Sequence, residues 1–185
     1  MSAEGAPRLR LFVALELPAE AHAALLDWRP EDPALRPVAD EALHVTLAFL
    51  GGRDPGDVER IRVALEPLGR PVDRLALGDV RWLPPRGPRV LAADVDDPDG
   101  TLAALQADVL AALVGGVGFE PERRRFLAHV TVARVRQGSK VPRELRERLG
   151  PPERVEFAAP AVTLFRSHLS PRGARYEPLV RVALR

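Results

Sequence analysis

Cysteine is absent from the 185 residues, which rules out a disulfide frame, a thiolate nucleophile and any Cys-based zinc site. Histidine is scarce. Only His22, His44, His129 and His168 occur, without H-E-x-x-H spacing, so no metal is expected. An excess of charge of one sign is also lacking: 27 Lys and Arg face 26 Asp and Glu, for a formal net charge of +1. That balance excludes a protein held to nucleic acid by a general positive field, and any such contact is expected to be local. No run of about 18 apolar residues exists to span a membrane. Met1-Ser2-Ala3-Glu4-Gly5-Ala6-Pro7 has no basic region followed by an apolar one, so a cytoplasmic protein is expected.

What is present is globular in composition, 46% hydrophobic and 29% charged. The length suits one domain with a substantial core. Nineteen prolines are scattered, and none of them builds a long Pro-rich tract.

Apolar patterning divides the chain into alternating elements. Leu11 to Leu17 reads as a buried strand ended by Pro18, which suits a first helical turn; Ala21, Ala24, Leu25 and Trp28 then recur at helical spacing. Leu43–Leu50 is a strand closed by Gly51-Gly52, and Pro55–Leu68 is a helix with Val58, Ile61, Leu65 and Leu68 on one face. Val72–Leu83 and Arg89–Val95 are extended. Asp99 is placed to cap a helix carrying Leu102, Leu105, Val109, Leu110 and Leu113, ended by Gly115-Gly116. Phe126–Val135 is a strand, Pro142–Leu149 a short polar helix, and residues 155–157, 161–169 and 176–184 are closing strands. The order repeats. An α+β fold follows, with two lobes over roughly residues 9–83 and 88–185 that exchange strands across a central cleft.

The centre of each half carries nearly the same tetrapeptide: His44-Val45-Thr46-Leu47 and His129-Val130-Thr131-Val132. With four His and four Thr in the chain, random placement gives about 0.1 His-x-Thr pairs, so a duplicate is signal. Alternate residues of a strand share a face, so each strand offers one imidazole and one hydroxyl to the same side. Brought together, the two strands form an acid-base site with flanking anion donors. Cleavage of a strained cyclic phosphodiester needs little more. A neutral imidazole takes a proton from water while a protonated one supplies the departing oxygen, and Thr46 and Thr131 hold the non-bridging oxygens.

These motifs resemble the two-histidine phosphoesterases, most closely the bacterial and archaeal RNA 2′,3′-cyclic phosphodiesterases, also called 2′-5′ RNA ligases. The resemblance rests on Arg10 to Pro18, Leu43 to Gly51, Arg125 to Arg134, Leu164 to Ser167 and Gly173 to Tyr176. It implies a bilobal fold of two antiparallel sheets with outer helices, and hydrolysis of RNA 2′,3′-cyclic phosphate ends to a 2′-phosphate with expulsion of the 3′-oxygen. It also implies weak reversible 2′-5′ ligation, no cofactor, and a phosphate-binding role for Arg134. By the same analogy His129 activates water and His44 protonates the leaving oxygen, although pseudo-symmetry lets either direction be written. Two departures stand out: Ala128 where the family usually has proline, and Leu91-Ala92-Ala93 where it often has an aromatic.

Strand parity sets Arg134 opposite His129 unless the strand ends or bulges there. Arg123-Arg124-Arg125 reads first as a solvated face and second as an RNA contact; Phe12 reads first as core and second as a base-stacking surface. His22 and His168 lack a partner motif and are taken as structural. A small cyclic phosphate or 2′-5′ oligonucleotide as substrate, and a non-catalytic RNA-end binder, stand as alternatives; a monomer is expected.

Overall fold

The computed structural model describes residues 7–170 and 173–185, so residues 1–6, read above for targeting signals, lie outside the described residues. The first strand, β1 (Leu9–Leu15), is the apolar run, buried along most of its length. Pro18 lacks an N–H and sits at the N-cap of α1 (Ala19–Trp28), just outside the first turn, and α1 buries Ala21, Ala24 and Leu25. A strand not foreseen, β2 (Leu35–Pro37), follows; its three residues are too few for an alternation pattern to show. Then come β3 (Val45–Arg53), α2 (Asp57–Leu65), β4 (Leu75–Leu83) and β5 (Val90–Asp96). The chain continues through α3 (Thr101–Val117), β6 (His129–Val135), α4 (Arg143–Arg148), β7 (Glu156–Phe157), β8 (Ala161–Ser170) and β9 (Gly173–Ala183).

Two details of α3 differ from expectation. Its N-terminus is capped by Asp97 rather than Asp99: the carboxylate of Asp97 accepts from the N–H of Leu102 at 3.2 Å and of Ala103 at 2.9 Å. Gly100, at φ +71°, turns the chain so that Asp97 reaches back over the helix end, while Asp99 pairs with Arg74. The C-terminus lies beyond Gly115-Gly116, at Gly118, whose φ of +60° admits the left-handed cap. Gly116 stays helical for a packing reason. A Cβ there would lie 3.1 Å from Ala64 Cβ, so its absence lets α2 approach α3.

All strand pairings among the described residues are antiparallel, in the order β7-β4-β5-β6-β3-β1-β8-β9, with β2 also paired to β6. The α+β class is as expected, and the two sheets anticipated are the flanks of one nine-stranded sheet. They meet at a single pair, Val45 with Val130. β4, from the first half of the chain, pairs with β5, whereas β8 and β9 pair back toward β1. The buried faces of α1, α2 and α3 join Leu11, Val13, Leu15, Val45, Leu91 and Val130 in one core. Full burial of such side chains is worth about 1.5–3 kcal/mol each, which holds both histidine strands from behind.

Both histidine strands bulge at the same motif position. In β3, Thr46 pairs with Ala14 and Ala48 with Val13, which leaves Leu47 without a partner. In β6, Thr131 pairs with Ala92 and Ala133 with Leu91, which leaves Val132 without one. Each extra residue reverses the parity of everything after it. Leu47 and Ala48 are consecutively buried, as are Val132 and Ala133, and the next residues, Phe49 and Arg134, emerge exposed on the side of the histidines.

Candidate active site

His44 lies between the short 3-10 turn Asp40–Ala42 and the start of β3, and His129 opens β6. Each ring is fixed in the same way. Nδ1 of His44 lies 2.8 Å from the carbonyl of Ala42, and Nδ1 of His129 lies 2.7 Å from the carbonyl of Leu127. A backbone carbonyl only accepts, so each Nδ1 carries the proton and each Nε2 is the working atom. The Thr46 hydroxyl lies 3.1 Å from His44 Nε2 and donates to it when that nitrogen is unprotonated.

The His44 imidazole is held neutral far into the acid range. Its pKa is lowered to about 4, chiefly because burial penalises the imidazolium; the Ala42 carbonyl opposes this, and the charges of His129 and Arg134 add to it. Aromatic rings supply that burial: Phe12 lies 5.0 Å from the His44 ring and Tyr176 sits edge-on at 5.4 Å, between centroids. His44, His129 and Arg134 surround one space.

That space is a cavity of about 490 Å³, lined by His44, Thr46, His129, Thr131 and Arg134 together. All five residues singled out in the sequence therefore face one cleft. Arg134 reaches it through the bulge at Val132, the condition that strand parity demanded. Arg10 and Arg36 also line the cavity, and among the described residues no carboxylate does. In a chain of formal charge +1, three arginines and two imidazoles with no acid among the described lining residues make this wall locally basic.

Several lining residues had been given no site role beforehand. Arg36 comes from β2, and Ser167 and Tyr176 come from β8 and β9, which reach the cleft only through pairing with β1. No local pattern announces such placement. Phe12 is core in its burial, 3% exposed, yet it lines the cleft and stacks on Phe165 at 5.3 Å. Arg124 and Arg125 line a neighbouring recess with Phe49 and Phe126. His168 lies outside the cleft, its Nε2 2.7 Å from a Glu177 carboxylate oxygen, and His22 is on α1. Among the described residues no group of three or more His, Asp or Glu is arranged to hold a metal ion.

Comparison with known proteins gives a consistent result. Residues 17–171 match the sequence model of the 2′-5′ RNA ligase superfamily. The RNA 2′,3′-cyclic phosphodiesterase of Escherichia coli (strain K12) is 31% identical over 182 residues, covering 95% of this chain and 96% of the relative. Among solved structures, the protein TT0787 of Thermus thermophilus superposes with a TM-score of 0.79 at 29% identity, covering 96% of this chain and 98% of that one. E. coli LigT complexed with 3′-AMP superposes with a TM-score of 0.76 at 28% identity, with the same coverage. With most of its length matched in sequence and in fold, the chain belongs to the 2′-5′ RNA ligase superfamily.

Proposed function

We propose that this protein is a cyclic phosphodiesterase that hydrolyses the 2′,3′-cyclic phosphate at an RNA end to a 2′-phosphate. The observation that carries the reading is the cleft itself, where two histidines, two threonines and Arg134 line one cavity with no carboxylate among its described lining residues. The E. coli relative named above as an RNA 2′,3′-cyclic phosphodiesterase, and the 3′-AMP held by LigT, support a nucleotide phosphate as its occupant.

In this reading Thr46, Thr131 and Arg134 hold the non-bridging phosphate oxygens, whose charge grows in the transition state. His129 Nε2 takes a proton from water as the water oxygen attacks phosphorus. The bond from phosphorus to the 3′-oxygen breaks, and His44 Nε2–H gives that oxygen its proton. His44 is neutral in the empty cleft, so it must gain this proton as substrate arrives. A phosphate anion beside Nε2 supplies the stabilisation for that, because a nearby negative charge favours the imidazolium. Weak ligation follows the same course with the 5′-hydroxyl of a second RNA in place of water: its oxygen attacks phosphorus, the 3′-oxygen leaves, and a 2′-5′ linkage results. No step calls for a cofactor. Among the described residues no helix is long and apolar enough to cross a membrane. We take the chain to act as one monomeric domain in the cytoplasm.

The test is incubation with a short RNA bearing a 2′,3′-cyclic phosphate, with EDTA present, and product identification by phosphorus NMR. Wild type is expected to give a 2′-phosphate, and His44→Ala and His129→Ala to give none at matched enzyme. A 3′-phosphate product, or undiminished turnover by either variant, rejects the mechanism.

A further inference from the structure

The cleft does not end at Arg134. Arg36 and Arg134 line both the catalytic cavity and an adjoining groove, where they are joined by Arg89 and Arg136. β2 brings Arg36 there: its register on β6 sets Arg36 directly across from Arg134. Arg89 immediately precedes Val90, the partner of Arg134 on the other side, and its carbonyl accepts from the Val135 N–H. Arg136 follows β6 and donates through Nε to the Pro33 carbonyl. Four arginines are thus gathered from three neighbouring strand segments.

Two features mark this group as a site for anions rather than a solvated surface. Among the described residues ten other arginines sit within 4.0 Å of a carboxylate and eleven do not, so what sets this group apart is that its four members line one groove with no acid among them. Among the described residues none of Arg36, Arg89, Arg134 and Arg136 has such a partner. Second, like charges at directly opposed positions of a sheet destabilise it, and Arg36 against Arg134 is such a pair. A bound polyanion would relieve that repulsion. The guanidinium fork suits phosphate oxygens, which it meets with two parallel N–H bonds.

We propose that Arg36, Arg89 and Arg136 extend the cleft into a track for the phosphodiesters that precede the reacting end. The protein then takes an RNA strand in preference to a single nucleotide. The inference rests on the function proposed above and names its substrate class. With the terminal cyclic phosphate between the imidazoles, Arg134 is shared between the reacting phosphate and the strand, and Arg89 and Arg136 meet the linkages on its 5′ side. The chain's near-neutral charge fits this arrangement, since the positive field is concentrated along one groove.

The experiment measures binding of non-reactive, product-like ligands: a nucleoside 2′-phosphate and a trinucleotide ending in a 2′-phosphate, by fluorescence anisotropy competition. Wild type is expected to bind the trinucleotide about tenfold or more tightly than the mononucleotide. The double variant Arg89→Gln, Arg136→Gln is expected to lose most of that ratio while its mononucleotide affinity stays within about twofold. Its slope of log affinity against log salt for the trinucleotide should fall by about 1.4, for two contacts removed on a single strand. Replacing both internal linkages by uncharged methylphosphonates should cost wild type the same factor and cost the double variant nothing further. Equal affinity of wild type for both ligands, or for charged and uncharged trinucleotides, overturns the track. So does equal weakening of both ligands in the double variant. Turnover of a short RNA bearing a 2′,3′-cyclic phosphate is recorded separately: its absence rejects the proposed reaction, while the binding ratio still judges the track.

Discussion

Val45 is the cross-strand partner of Val130, and this one pair relates the two halves of the cleft. Both valines are fully buried, so their neighbours on either side face the opposite way, toward the cavity. Antiparallel register around the pair sets His44 toward Thr131 and Thr46 toward His129. A single junction thereby delivers two imidazoles and two hydroxyls in pseudo-two-fold relation.

Shortening either valine is predicted to loosen that relation. Val45→Ala or Val130→Ala removes two buried methyl groups and leaves a void, a loss of about 2 kcal/mol in urea unfolding. Turnover should fall more steeply than stability at temperatures where both variants remain folded, because the strands that diverge from this pair set the spacing of the imidazoles. Equal turnover by folded variant and wild type would show that the junction does not govern the geometry.

The acid and the base can be told apart by the leaving group. A cyclic substrate with sulfur in place of the 3′-oxygen departs as a thiolate and needs no proton. If His44 is the acid, His44→Ala is expected to recover a large part of its loss on the sulfur substrate, a loss of about 10²–10⁴ on the oxygen substrate. His129→Ala should recover little. Rescue of His129→Ala instead reverses the assignment.

His44 also predicts a pH dependence of stability. Its pKa falls from the ordinary 6.5 to about 4 in the fold, driven first by burial. Between these values the unfolded chain binds a proton at this residue and the folded chain does not. Stability is therefore lost as pH falls from about 6.5 to 4, by on the order of 3 kcal/mol, with no further loss from this group below that. Urea titrations across this range should show a shallower decline for His44→Gln than for wild type. Inorganic phosphate should flatten the wild-type curve by favouring the folded imidazolium. Parallel curves for variant and wild type would contradict the shift.

Arg134 is predicted to act mainly on substrate capture. Arg134→Gln should raise KM for a cyclic mononucleotide by about tenfold or more, with a smaller effect on kcat, and Arg134→Lys should restore only part, since a lysine keeps the charge without the fork. A change confined to kcat would place Arg134 at the transition state alone.

Both His-x-Thr motifs were legible because a strand's two-residue period needs only four positions to declare a face, and because the pattern occurs twice. The bulges at Leu47 and Val132 were not, since an extra residue in one strand leaves no mark on its own composition. Arg134 could be placed only conditionally for that reason. Arg36 escaped notice because β2 is three residues long, and Tyr176, although inside a block that carries the resemblance, was given no role because its place depends on β9 pairing with β8 and β8 with β1. Asp97 and Asp99 both stand near the start of α3, and the left-handed Gly100 decides between them.

The pairing of β1 with β8 imposes an order of events during synthesis. The Thr163 hydroxyl donates to Glu16 across 147 residues of chain, and Tyr176 closes the wall beside His44. A nascent chain halted before residue 161 displays both histidine motifs, yet β1 has an open edge and His44 keeps Phe12 but lacks Phe165 and Tyr176. Such a fragment exposes an apolar strand to any partner that can pair with it, so the interval before β8 leaves the ribosome is when this protein most needs a chaperone.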